Sequence, residues 1–302
     1  MKPLTLVVLG GTGFVGSHLV PRLHADGHRL VLLSRNRERH RALAVLPRVR
    51  IETADVHDRD VLSGHLRGAD AAINLVGILN ERGDDGRGFE RAHVALTRSL
   101  IEACRAVGVT RLLQMSALRA GEGTSHYLRT RGEAEALVRA APLAATIFRP
   151  SVIFGPGDGL FGRFADLLAL TPVLPLARPH AQFAPVYVRD VAEAFARALQ
   201  LPSSIGRTYA LVGPDRIELI DLVRWTARMT GRRRLIVPLP DALGRWQARI
   251  GEWLPGKPIS RDNFRSLLLD SVSDEDGLAA LGIQAMPMAA VMPRLLAAAR
   301  RR

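Results

Sequence analysis

The chain has 302 residues, 47% of them hydrophobic, and a formal net charge of +13. That length and apolar share exclude a disordered chain and provide for one large domain or two unequal ones. Lys2 and Lys257 are its only lysines, so the charge is almost all arginine, and aromatics at 5% form no interleaved basic stretch, which argues against a nucleic-acid surface.

Leu6 to Leu9 is a short apolar run that leads into a glycine cluster, then into helical apolar spacing at Phe14, Val15, His18 and Leu19. This reads as strand, turn and helix, not as a signal peptide. The glycines satisfy both Gly11-x-Gly13-x-x-Gly16 and Gly10-x-x-Gly13-x-x-Gly16. One glycine permits the tight turn, one lets backbone approach a pyrophosphate, and one lets the helix pack closely on the strand. The free N–H groups at the start of the helix then face the phosphates.

Arg29 to Ser34 is the second strand, followed by Arg35, Asn36 and Arg37. The end of this strand meets the adenosine ribose. An acidic residue there suits a ribose 2′-hydroxyl and arginine a 2′-phosphate. With no Asp or Glu between Leu30 and Arg37, Arg35 favours NADP(H) over NAD(H). Val49 to Thr53 is a third strand, and Asp55 after it is either an adenine contact or a turn residue. Asp58 caps a short helix that ends near Leu66.

Ala71 to Gly77 is the fourth strand, with Gly77 placed to let backbone pass close to a cofactor. A polar loop from Asn80 to Gly88 precedes a long helix, Phe89 to Val107. This helix contains Cys104, the only cysteine, which has no disulfide or metal-ligand partner at useful spacing. Arg111 to Met115 is the fifth strand, with Ser116 at its end. A helix running to Ala141 carries Tyr127 and Arg131 on one face. Ala144 to Phe148 is the sixth strand. The alternation predicts a Rossmann-type, doubly wound parallel sheet over residues 1–154, with a smaller, interleaved α/β subdomain over 155–302.

In the second half, Asp190 caps a helix from Val191 to Leu199, and Thr208 to Val212 is a short strand. Helices are expected over Glu218 to Thr230, Asp241 to Leu254 and Met286 to Arg300. Leu243, Trp246, Ile250, Trp253 and Leu254 share a helical stripe, with Arg245 and Arg249 off it. The expectation is that the stripe is core of the smaller domain. The alternative, supported by the basic tail Arg300 to Arg302, is an anionic membrane surface. No apolar run is long enough to span a bilayer. The location expected is cytoplasmic, soluble or peripheral at an inner membrane.

Gly10-x-x-Gly13-x-x-Gly16, Asp55-Val56, Asn74-Leu-Val-Gly77, Ser116, Tyr127-x-x-x-131 and Arg149-Pro150-Ser151 resemble the short-chain dehydrogenase/reductase superfamily, in its extended or atypical, epimerase/dehydratase-like branch. The resemblance covers nearly the whole chain. Over residues 1–200, Asn74 to Asn80, Phe89 to Val94, Arg149 to Pro156 and Phe183 to Ala192 are similar to one subgroup. It contains the nucleotide-binding accessory subunit of respiratory complex I and its bacterial relatives. The resemblance implies a cofactor set of Gly10, Thr12, Gly13, Phe14, Val15, Gly16, Arg35, Asp55, Val56, Leu75, Val76, Gly77, Tyr127, Arg131 and Pro150. It also implies a catalytic trio of Tyr127 as general acid/base, Ser116 orienting the substrate oxygen, and a lysine four residues after the tyrosine. Here that position is Arg131, which keeps the charge but not the shape of an ammonium. His93 stands where many extended members carry an active-site Asn. Two functions follow from this pattern. One is a dinucleotide that is structural or sensory within a membrane-complex partner. The other is an active oxidoreductase or epimerase.

Overall fold

Strand β1 (Thr5–Leu9) lies inside a seven-stranded sheet of order β11-β6-β5-β4-β1-β2-β3. The other members are β2 (Arg29–Ser34), β3 (Val49–Thr53), β4 (Ala71–Asn74), β5 (Arg111–Met115), β6 (Ala144–Pro150) and β11 (Thr208–Leu211). The structure is a computed structural model that describes residues 2–36, 43, 45–253 and 259–299. Every pairing in this sheet is parallel. A parallel sheet is covered on both faces, which is why its strands read as unbroken apolar runs. Alternation along β1 sends Leu6 and Val8 to one core and Val7 and Leu9 to the other.

The first core packs against α1 (Phe14–Ala25) and α6 (Val188–Gln200) through Leu19, Val20, Leu23, Val191 and Phe195. The second packs against α2 (Arg59–Leu66) and α3 (Leu96–Val107) through Leu62, Leu66, Leu96, Leu100 and Cys104. Burial pushes the Cys104 thiol up to about 12, so it is an inert core group. Asp58 caps α2 as expected, accepting from Asp60 and Val61 N–H. The predicted long helix is present, but it opens with Arg87–Phe89 and a π-helical segment, Glu90–Ala95, before α3. After β3 the chain returns to the far side of β1 to lay down β4. The carboxyl ends of β1 and β4 therefore flank the point where strand order reverses, where crevices form in such sheets.

Several expectations need correction. The sheet has a seventh strand, because β11 returns from the second half of the chain to pair with β6. Helix α6 begins at Val188, so Asp190 lies inside its first turn and caps nothing. Its carboxylate accepts from Met286 N–H at 2.7 Å instead.

The remaining strands form small pairs. These join β7 (Ile153–Phe154) to β10 (Val186–Tyr187), β9 (Gln182–Phe183) to β12 (Ile217–Glu218), and β8 (Val173–Ala177) to β13 (Leu235–Leu239). Between and beyond them lie α4 (His126–Ala140), α5 (Leu160–Leu170), α7 (Leu219–Met229), α8 (Asp241–Gly251), α9 (Arg261–Ser266), α10 (Gly277–Ala280) and α11 (Met288–Ala299). Among the described residues, no helix is long and apolar enough to cross a membrane.

The apolar stripe of α8 is not core. Leu243, Trp246, Ile250 and Trp253 are 54%, 62%, 59% and 88% exposed. The buried seam is Gly244, Ala248 and Gly251. A Cβ on Gly251 would lie 2.5 Å from Ile259 O, and one on Gly244 2.9 Å from Phe264. Small residues let α8 sit close on its neighbours, which turns the large apolar side chains outward. Leu254 and Arg300 to Arg302 lie outside the described residues.

Candidate active site and dinucleotide cleft

The glycine turn is built as its spacing requires. Gly13 N–H donates to Gly10 O at 3.0 Å, and a Cβ on Gly16 would lie 2.3 Å from Gly11 O, so the third glycine sets helix against strand. A Cβ on Gly10, at φ +75°, would lie 3.0 Å from Val76 N in the β4 loop. Gly13 is the N-cap of α1, whose first turn has no acidic residue and no side-chain cap. The positive end of the helix is therefore left for an anion. Arg35 is exposed beyond β2. Asp55 serves as a turn residue, with its Oδ1 accepting from His57 N–H at 3.0 Å, and also stands in the cleft wall. Arg37 lies outside the described residues.

Ser125 and Asp262 together cap α4. The serine accepts from Leu128 N–H, and the Asp262 carboxylate accepts from His126 N–H at 2.6 Å and Tyr127 N–H at 3.1 Å. Asp262 comes from α9, so the second half of the chain fixes the start of the helix that carries Tyr127. Asp84, His126 and Asp262 bring potential metal-ligating atoms within 4.8 Å of one another. The carboxylates are already committed, however, Asp84 to Arg265 and Asp262 to the α4 backbone.

Arg131 is buried one turn after Tyr127. Its Nη1 donates to Val76 O (3.2 Å) and Met115 O (3.1 Å), and its guanidinium carbon lies 5.5 Å from the Tyr127 ring centre. A Cβ on Gly77 would fall 1.9 Å from Arg131 Nη2. Gly77, three residues past β4, thus makes room for the guanidinium while also lining the cleft.

Ser116 Oγ donates to Glu135 Oε1 at 2.5 Å. Glu135 is fully buried on the inner face of α4, where Arg149 binds it in bidentate fashion at 2.8 and 2.7 Å and Arg139 adds a contact at 2.6 Å. The carboxylate holds the Arg149 guanidinium above its ordinary pKa. Sequence reasoning missed both Glu135 and Asp262. Glu135 had a readable signal in its position, two turns after Tyr127 and one after Arg131 on the same helical face.

His93 does not enter the cleft. It is 1% exposed, with Nδ1 2.8 Å from Thr130 Oγ1 and Nε2 3.4 Å from Ile78 N. The Thr130 hydroxyl donates to the carbonyls of His126 and Tyr127, so Nδ1–H donates to Thr130 and Nε2 accepts from Ile78. Burial, with Arg131 nearby, pushes the imidazole pKa down to about 2, which agrees with this neutral tautomer. His93 therefore pins the β4 loop to α4.

The glycine-turn residues Gly10, Thr12, Gly13, Phe14, Val15 and Gly16 line one cleft of 1610 Å³, together with Arg35, Asp55, Val56, Leu75, Val76, Gly77 and Pro150. Ser116, Tyr127 and Arg131 line the same cleft. The residues fit a dinucleotide. The turn and the bare helix end suit a pyrophosphate, and Arg131 Nε is a buried donor with no protein partner. Leaving such a donor unpaired costs about 1–3 kcal/mol, which a bound ligand group can relieve. Past Tyr127 the cleft continues into a lobe lined by the second half of the chain.

The sheet order, glycine turn and Tyr127–Ser116–Arg131 wall define a Rossmann-type dinucleotide-binding fold of the short-chain dehydrogenase/reductase kind. The chain belongs to the NAD dependent epimerase/dehydratase family, whose model matches residues 6–211. Among relatives, it is 30% identical over 291 residues to NADH dehydrogenase [ubiquinone] 1 alpha subcomplex subunit 9, mitochondrial, of Rattus norvegicus, covering 93% of this chain and 76% of that protein. It is 32% identical over 241 residues to the ceramide reductase of Caulobacter vibrioides, covering 78% of this chain and 74% of that protein. A dTDP-glucose 4,6-dehydratase from Streptomyces venezuelae, solved with NAD, superposes with a TM-score of 0.78 at 20% identity, covering 99% of this chain and 98% of that one. At that identity the likeness concerns the fold.

Proposed function

We propose that this protein is an NADP(H)-dependent oxidoreductase with Tyr127 as its general acid/base. The observation that carries the reading is the continuity of the 1610 Å³ cleft past Tyr127 into a lobe lined by the second half of the chain. When bound, the nicotinamide supplies or accepts a hydride. Tyr127 moves the accompanying proton at the substrate oxygen. Arg131, fixed by two carbonyls, places a positive charge 5.5 Å from the Tyr127 ring centre without the reach of an ammonium. Arg35, in a stretch with no Asp or Glu between Leu30 and Arg37, supports NADP(H) over NAD(H). The exposed Trp246–Trp253 face of α8, flanked by Arg245 and Arg249, supports peripheral attachment to an anionic membrane.

A second reading draws on one local feature. The Ser116 proton is committed to Glu135, and the Arg131 Nη1 to backbone. A site whose polar groups are turned inward fits a dinucleotide that is structural or sensory within a membrane complex. The nucleotide content of the purified protein, followed spectroscopically with added carbonyl compounds, separates the two. Exchangeable NADPH, oxidised by a carbonyl and slowed about 10²- to 10⁴-fold by Tyr127→Phe, supports the enzyme. NADPH that stays bound and no carbonyl oxidises supports the structural role.

A further inference from the structure

We infer that the lobe takes a long-chain aliphatic amphiphile, with its reacting carbonyl or carbinol at Tyr127 and its chain running toward α8. The inference rests on the oxidoreductase reading for its chemistry, but the lobe itself carries it. Leu160, Phe164, Leu174, Leu176, Leu239 and Ile259 form much of the wall. Arg163 is the one charged side chain that the described residues beyond 155 contribute, and they contribute no carboxylate.

The polar residues of the lobe are largely occupied by the protein itself. Gln247 Nε2 donates to Pro175 O at 2.6 Å. Asn263 donates to Leu79 O and accepts from Ser260 N–H. Ser266 bonds Ser125, and Ser271 bonds Ser151. A sugar nucleotide entering here would find Arg163 for its diphosphate but would leave most of its sugar hydroxyls without partners, at a cost for each buried polar group. Gln247 Oε1 is the exception, a buried acceptor without a partner. It gives the lobe one anchor for a hydroxyl or amide N–H on an otherwise apolar ligand.

The lobe also has an apolar mouth. Ile250 lines it and is at the same time exposed on the face that carries Trp246 and Trp253. Gly244 lies against Ala177 while Gln247 binds Pro175, so α8 runs antiparallel to β8. Its end therefore points to the Val173 end of the β8–β13 pair, where Leu170, Val173 and Leu235 are exposed. Arg233, Arg245 and Arg249 are exposed on the same segments. An aliphatic chain can pass from an anionic lipid surface into the lobe without crossing water. In the reductive direction a hydride goes from NADPH to the carbonyl carbon and a proton from Tyr127 to its oxygen, which leaves NADP⁺ and a carbinol.

The test has two arms on the full chain. One measures NADPH oxidation with straight-chain aldehydes from butanal to hexadecanal, in mixed micelles. The other measures displacement of a fluorescent long-chain fatty alcohol, which needs no turnover. Both are run with Ile250→Glu, an exposed position that the fold tolerates, and with Leu239→Trp, which fills the lobe. The expected result is a kcat/KM that rises about three- to fourfold per methylene until the lobe is full. Both variants should flatten that rise, so that their loss in kcat/KM grows with chain length. Turnover that is flat with chain length, or turnover of a sugar nucleotide in place of aldehydes, overturns the inference and leaves the oxidoreductase reading standing. Probe binding that both variants weaken, without turnover of any aldehyde, keeps the ligand class and overturns the oxidoreductase reading. Neither binding nor turnover overturns both.

Discussion

Arg131 occupies the space that a side chain at position 77 would need: a Cβ on Gly77 would lie 1.9 Å from its Nη2. The two positions are therefore sterically coupled, and the arginine forms part of the cleft wall. Gly77→Ala forces the guanidinium off Val76 O and Met115 O. The variant is expected to lose about 1–3 kcal/mol of stability through overpacking and to bind NADPH more weakly. Arg131→Lys in the Gly77→Ala background should restore part of both, because lysine is slimmer at its tip. Additive effects in this cycle, read by chemical denaturation and NADPH fluorescence, would separate the two residues.

Glu135 is the one carboxylate between Arg139, Arg149 and Ser116, and it is fully buried. Removing one partner from a buried ion pair costs about 3–5 kcal/mol, because the remaining charge is left without compensation. Both arginines are partly exposed here, so Glu135→Gln should fall at the lower end of that range. Urea denaturation measures it, and a loss under about 0.5 kcal/mol, the usual size for a surface substitution, would show that solvent screens the cluster.

His93 stays neutral in the native protein down to about 2. In the unfolded chain it takes a proton below about pH 6.5. Below that pH the unfolded state binds more protons, so the His93 contribution is complete above about 6.5 and is lost as pH falls. The slope is at most about 1.4 kcal/mol per pH unit for this one group. His93→Gln should be less stable at neutral pH yet decline less steeply between about pH 6 and 4. Parallel stability–pH curves for the two proteins would count against a neutral His93.

Arg35 lines the cleft beyond β2, and the proposed NADP(H) preference assigns it to the ribose 2′-phosphate. A charge-assisted contact is worth about 1.5–3 kcal/mol, or at least about tenfold in affinity. Arg35→Asp should weaken NADPH by that factor or more and leave NADH within a few-fold. Equal losses for both, read by fluorescence titration, would remove Arg35 from cofactor selection.

The dinucleotide half was legible because its signals are local. An apolar strand, a glycine turn and a helix start lie within a dozen or so residues of one another, and each glycine has one geometric task. What escaped depends on distance or direction. The pairing of β11 with β6 joins segments some sixty residues apart and leaves no local mark. Glu135 reads as an ordinary helix surface residue until Arg149 arrives from the next strand to neutralise it. The stripe on α8 was correctly seen as one face, but amphipathicity does not say which way a face points. The small residues Gly244, Ala248 and Gly251 were the better guide, because a close-packed seam requires them.

The seventh strand also bears on how the chain is made. While the first 154 residues emerge from a ribosome, β6 presents an open row of backbone donors and acceptors, and α1 lacks the helix that covers it. Both gaps close only when α6 and Thr208–Leu211 have left the exit tunnel. A stalled or truncated nascent chain would therefore expose a parallel strand edge and an uncovered apolar helix face. Both invite self-association.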